Sequence, residues 1–122
     1  MTQTADSGAI VAEMEQLLGD VVSVRSRSSQ NGLTQRWLVD IVRESPEPLS
    51  TDQLQELLRI VWENTQNRPS SVGIKVNTPD GRGVDLRGVA DELGVEWHQY
   101  GYGVSIRQET VAKLLGEWPG DK

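Results

Sequence analysis

An Asn31-Gly32 dipeptide lies between two runs of alternating apolar and polar residues, and no other stretch of the chain restricts its fold so tightly. Asn-Gly is the preferred centre of a type I′ turn, which needs positive φ at both central residues, so the flanking runs from Val21 to Val42 read as an antiparallel hairpin. Counting outward from a two-residue turn sets Gln30 opposite Leu33, Ser26 opposite Trp37, Val24 opposite Val39 and Val22 opposite Ile41. The large apolar side chains then share one face. Arg25 opposite Leu38, Arg27 opposite Arg36 and Ser23 opposite Asp40 make up the other. A slip of one residue would scatter the apolar set over both faces, because strand side chains alternate with a period of two.

The apolar face of such a hairpin needs a cover, and Leu54, Leu57, Leu58, Val61 and Trp62 form a helical stripe that can supply it. The start of that helix is explicit. Ser50 and Gln53 have capping-box spacing, Leu49 and Leu54 have that of a hydrophobic staple, and such caps contribute roughly 1 kcal/mol. Upstream, Ile10, Val11, Met14, Leu17 and Leu18 predict a first helix, with Ser7 as its cap and Gly19 as its stop. Downstream, Val72, Ile74 and Val76 alternate as a third strand that ends at Pro79-Asp80-Gly81. Arg82 to Leu86 has two readings: a short return strand carrying Val84 and Leu86, or a helix capped directly by Asp85. Leu86, Val89, Ala90 and Leu93 predict a helix stopped by Gly94, and Val95 to Ile106 reads as extended with Tyr102, Val104 and Ile106 its surest strand. Val111, Leu114 and Leu115 suggest a short last helix.

Amphipathic helices interleaved with half-buried strands bury their apolar sides as two layers. The expectation is an α+β two-layer sandwich with an open mixed sheet of about four strands and helices packed on one face, for which a ferredoxin-like variant is one arrangement that fits. Residues 8–118 are read as the single domain, between flexible ends at 1–7 and 119–122. A chain of 122 residues with 36% hydrophobic residues can bury a core without metal or disulfide staples. Phe is absent, so Val, Leu, Ile and four Trp must build that core.

Composition also narrows function. A formal net charge of −6 argues against general affinity for nucleic acid or anionic lipid. The lack of cysteine removes disulfides, thiol nucleophiles and thiolate metal sites. Met1 to Gly8 holds neither a basic segment nor an apolar run, so the expectation is a cytoplasmic chain without membrane insertion, although a domain trimmed of an export signal would read the same.

Three surfaces carry chemistry. Glu96 to Gly103 contains the one histidine and both tyrosines, and alternation puts Glu96, His98, Tyr100 and Tyr102 on one face, a strip suited to a peptide or small ligand. Its competing reading is ordinary sheet surface with glycines that mark a bulge. His98 could act as a general base, yet no nucleophile is tied to it, and Glu96 with His98 alone lacks the ligands of a metal site. Gly81, Arg82 and Gly83 could form a small anion-binding loop, or simply a tight turn. Arg25, Arg27, Arg36 and Leu38 make a second contact patch, or a set of charges that keeps an exposed strand from aggregating. No catalytic set, metal or cofactor is implied. The sequence points to a noncatalytic module for a protein partner or for self-association, and a small-molecule binder or minor enzyme using His98, Tyr100 and Tyr102 is the alternative.

Overall fold

The computed structural model describes residues 2–31, 34–65 and 69–118. In chain order these form α1 (Thr2–Leu18), β1 (Val21–Asn31), β2 (Thr34–Arg43), α2 (Thr51–Asn64), β3 (Ser71–Asn77), β4 (Gly83–Val84), α3 (Arg87–Leu93), β5 (His98–Tyr100), β6 (Gly103–Arg107) and α4 (Gln108–Leu115). The strands make one mixed sheet in the order β1-β2-β3-β6-β5, with β4 paired to β3. Six strands stand where about four were expected. The two additional ones, β4 and β5, span two and three residues; β4 is the short return strand that was one reading of Arg82 to Leu86, and β5 falls in the stretch from Val95 read as extended, which the turn at Gly101 and Tyr102 divides into two strands. The ferredoxin-like variant is not confirmed, since that fold splits its β-α-β units whereas β2 and β3 are direct parallel neighbours here. Of the two readings of Arg82 to Leu86 the return strand is the one formed, with Val84 paired to Val76 but Leu86 outside it; Leu86 is the N-cap residue of α3 and no side chain caps that helix, although the neighbouring Asp85 carboxylate accepts from the Arg87 amide.

The hairpin keeps its expected faces but not its expected register. Pairing runs Asn31↔Thr34, Ser28↔Trp37, Ser26↔Val39 and Val24↔Ile41, two residues away from the count made from Asn31-Gly32. The proposed turn centre at Gly32, like Leu33, falls outside the described residues. A shift of two leaves every side chain on its face, and it improves the pairs across the strands. Arg27 moves from opposite Arg36 to opposite Leu38, and Arg25 comes to face Asp40, so like charges separate and unlike ones meet. Trp37 then reaches diagonally to Ser26, its Nε1 donating to Oγ at 2.8 Å. Val22 does not join the core. A bulge between Val21 and Ser23 removes it from pairing and leaves it 52% exposed.

α1 begins at Thr2, upstream of the Ser7 cap expected from sequence. α2 starts as its sequence predicts: Ser50 Oγ accepts from the Gln53 amide at 3.1 Å, and Gln53 Oε1 accepts from the Ser50 amide at 2.9 Å. Its stripe of Leu54, Leu57, Leu58, Val61 and Trp62 is buried against the sheet. Because β2 and β3 are parallel, their connection must cross a face of the sheet, and α2 is that crossover. Ile10 and Met14 of α1, Val89 of α3 and Val111 of α4 join the same core, beneath Trp37, Val39 and Ile41 of β2, Val72, Ile74 and Val76 of β3, and Val104 and Ile106 of β6. Gly94 ends α3 at φ 82°, a left-handed conformation that returns its amide to the Ala90 and Asp91 carbonyls. All four indole N–H groups have acceptors: Ser26 for Trp37, the Gly116 carbonyl for Trp62, Asp91 for Trp97 and Thr65 for Trp118.

An ion pair ties down the open end of the hairpin. Arg43 is 8% exposed and its Nε donates to both Asp20 oxygens, at 3.0 and 3.2 Å, while the Ser45 amide donates to Oδ2 at 3.0 Å. Burial alone would raise the Asp20 carboxyl, but the Arg43 hydrogen bond, the Ser45 amide and the Arg43 charge together hold it below the ordinary aspartate value. Its stabilising contribution is therefore complete above the unfolded-state value and is lost as pH falls through the lower folded one. Asp20→Ala, which strands a buried guanidinium, is expected to cost about 2 kcal/mol at neutral pH. The same variant should show a shallower loss of stability on acidification than the parent, measured as urea midpoints at several pH values below neutrality.

Candidate functional site

Helices cover one face of the sheet, and the opposite face gathers side chains that the sequence keeps far apart. Three rows run across the strands there. The first carries Arg36, Ser71 and Arg107; the second Arg27, Leu38, Gly73, Ser105 and His98; the third Arg25, Asp40 and Lys75, with Gly103 and Tyr100 at its far end. Five cationic side chains thus share these strand positions with one carboxylate, Asp40, on a chain whose net charge is −6. Among the described residues, Arg27 is the one of the five that forms an ion pair, with Asp40 at 3.7 Å.

Tyr100 links the two ends of this face. Its strand, β5, lies at the edge beyond β6 and β3, yet its hydroxyl donates to Asp40 Oδ1 of β2 at 3.1 Å and accepts from Arg27 Nη2 of β1 at 3.3 Å. Such a reach requires a flat path. Gly73 provides one: a Cβ there would come within 3.0 Å of the tyrosine ring and 2.9 Å of Leu38. Gly103 answers a different need, the close approach of β6 to β3, since a Cβ at that position would collide with the Ile74 carbonyl oxygen on the neighbouring strand. Lys75 then sits between two rings, its Nζ 4.7 Å from the Tyr100 centroid and 5.5 Å from that of Tyr102. Arg36 lies 6.0 Å from the Tyr100 centroid. Burial, followed by the charge and hydrogen bond of Asp40, pushes the Tyr100 phenol up to about 12, against the opposing pull of Arg27 and Arg36. It therefore remains a hydrogen-bond donor at any physiological pH.

Tyr100 of the tyrosine strip and the arginines of the patch read from the sequence share one surface. The other members of the two sets depart from what was expected of them. Leu38 is 5% exposed, closed in beside Gly73 and Tyr100, so it offers no contact to a partner. Tyr102 is in the β5-β6 turn rather than in the strand, its ring over Gly83 and its hydroxyl donating to Asn77 at 3.1 Å. His98 is exposed at the start of β5, and Glu96 precedes that strand. In the Asp80 turn, the amides expected to receive an anion already have acceptors: Gly81 donates to the Thr78 carbonyl at 2.9 Å and Arg82 to Thr78 Oγ1 at 3.3 Å. The Asp80 carboxylate accepts from the Thr78 hydroxyl in the same turn, a poor neighbour for a second anion. Among the described residues no group of three or more His, Asp or Glu side chains could hold a metal ion, and no helix is long and apolar enough to cross a membrane.

No match is found among protein-family models, curated proteins or solved structures. The chemistry of the face itself is what remains to indicate a role. Lys75, Asp40 and Arg107 are the members that sequence reasoning did not select. The signal for Lys75 was present, because it fills a polar position in the alternation of Val72, Ile74 and Val76 and so had to face away from the helices. A shallow depression of about 380 Å³ borders the face, lined by Gly83, Asp85, Arg87, Gln99, Gly101 and Tyr102. Its Asp85 and Arg87 satisfy each other at 3.0 Å.

Tyr100→Phe is expected to destabilise the fold by about 1 kcal/mol, the typical worth of a partly buried hydrogen bond. Spectrophotometric titration of the phenols should place Tyr100 at about 12 and move it downward in Asp40→Asn, since the negative charge that opposes its ionisation is gone. Gly103→Ala should fail to form the native β3-β6 pairing, seen as loss of the amide protection of Ile74 and Val104 in hydrogen exchange.

Proposed function

We propose that the protein is a noncatalytic interaction module whose uncovered sheet face receives an acidic region of a protein partner. The observation that carries this reading is the charge inversion: a face with five cations and one carboxylate on a chain of net charge −6. Charge complementarity of this kind directs encounter and orientation. A second copy docked face to face would set like charge against like, so a different protein is favoured over self-association. Against catalysis stands His98, which is exposed and has no bonded neighbour among the described residues to orient its ring. Nucleic acid is disfavoured because the Tyr100 ring is already flanked by Lys75 and Arg36 and its hydroxyl is bonded, leaving no free plane for a base.

Titration of the isotopically labelled protein with poly-L-glutamate tests the reading. Amide shifts are expected over β1, β2 and β3 on the uncovered face, weaker at high salt, and Arg36→Glu should reduce the affinity about fivefold, as for one exposed charge. Absence of binding, or shifts confined to the helical side, would refute it. Shifts limited to Gln99 to Tyr102 on addition of a metabolite mixture, with none from the polyanion, would instead favour the small-ligand alternative at the neighbouring depression.

A further inference from the structure

We infer that β1 is the edge at which this partner enters: an extended segment with acidic side chains at every second position, and apolar ones between, adds to the sheet as a further strand. This rests on the interaction-module reading above and specifies its ligand. β1 is an outer strand of eleven residues, paired on one side to β2. Its other backbone side therefore presents a row of amide and carbonyl groups. Sheet edges of this length are commonly blunted by proline, by bulges or by charge. β1 contains no proline, and its bulge is confined to the end at Val21/Ser23, so from Val24 onward its pairing with β2 is regular, with Arg25 and Arg27 standing along it and α1 packed beside it on the helical side.

Protection by arginine is selective. A second copy of β1 pairing antiparallel about Ser26 would set arginine opposite arginine, which is destabilising across strands. An acidic strand meets the reverse situation. Residues of an added strand alternate between faces with the same period of two as β1, so every second side chain falls beside Arg25 and Arg27 on the uncovered face. Arg25 stands opposite Asp40 without forming an ion pair with it, and Arg27, 46% exposed, keeps guanidinium donors beyond those given to Asp40 and Tyr100. The intervening side chains fall on the helical face, next to the half-buried Val24 and near Val22, which at 52% is one of two large hydrophobic side chains exposed on the described surface. Charge on one face and apolar surface on the other together call for a segment of the pattern acidic-apolar-acidic-apolar. Backbone pairing of this type gives affinity through the ladder and selectivity through alternate side chains.

The test uses a short capped peptide of alternating glutamate and valine. Three probes serve for comparison: a block peptide of the same composition, with all its glutamates preceding all its valines, an alternating lysine-valine peptide and a thymidine oligonucleotide. Binding of the alternating acidic peptide alone, with shifts and slowed hydrogen exchange centred on Ser23 to Ser29, is the expected result. The paired variant Arg25→Glu/Arg27→Glu, checked for folding by its circular dichroism and melting, should lose about tenfold in affinity for that peptide and gain it for the lysine-valine peptide. Equal binding of the block peptide, with shifts on Lys75 and Tyr100 but no new protection along β1, would overturn edge pairing while leaving the sheet-face reading in place. Binding of the oligonucleotide in preference to every peptide, or of no probe at all, would overturn both.

Discussion

The parallel pairing of β2 with β3 is the constraint from which the rest of the architecture follows. Parallel neighbours cannot be joined by a tight turn, so the chain must leave the sheet, cross one face and return. The crossing element is α2, whose capping box and leucine stripe equip it to lie on that face. Once one helix has covered Trp37, Val39 and Ile41, the remaining helices complete the same core rather than begin another. Among the described residues no helix layers the opposite face, and its side chains satisfy one another along the plane of the sheet.

They do so through an unusual use of small residues. Gly73 and Gly103 lie in β3 and β6, two of the three interior strands, where glycine ordinarily weakens pairing for want of a side chain. Here the missing side chains are replaced from outside, since the Tyr100 ring lies over Gly73 and lysine methylenes of Lys75 lie against Gly103. Long side chains lying flat take the place of a second layer. Leu38 is sealed by this arrangement, and Asp40 holds the hydroxyl that anchors it.

Much of this was legible in the chain. Alternation placed Trp37, Val39 and Ile41 in the core and Arg25, Arg27 and Arg36 outside it, and the cap at Ser50 was readable to the residue. The hairpin register was not, because a displacement of two preserves every facial assignment and the Asn-Gly signal alone chose between the two. His98 to Tyr100 was read as extended, but its separation from β6 by a turn was not, because so few residues carry no period of their own. The union of the arginine patch with the tyrosine strip depended on strand order, which local pattern does not encode. The burial of Leu38 was hidden for the same reason: its cover comes from Tyr100, near the other end of the chain.

The placement of Tyr100 has a consequence for how the chain is handled in the cell. Its hydroxyl joins strands contributed by the early part of the sequence to a hairpin contributed by the late part. A nascent chain that has not reached β5 lacks the ring that joins Asp40 to Arg27, so this face takes its form only once Tyr100 has been added. A ligand that bound this face would bind the folded state alone and would draw the folding equilibrium toward it in proportion to its own concentration.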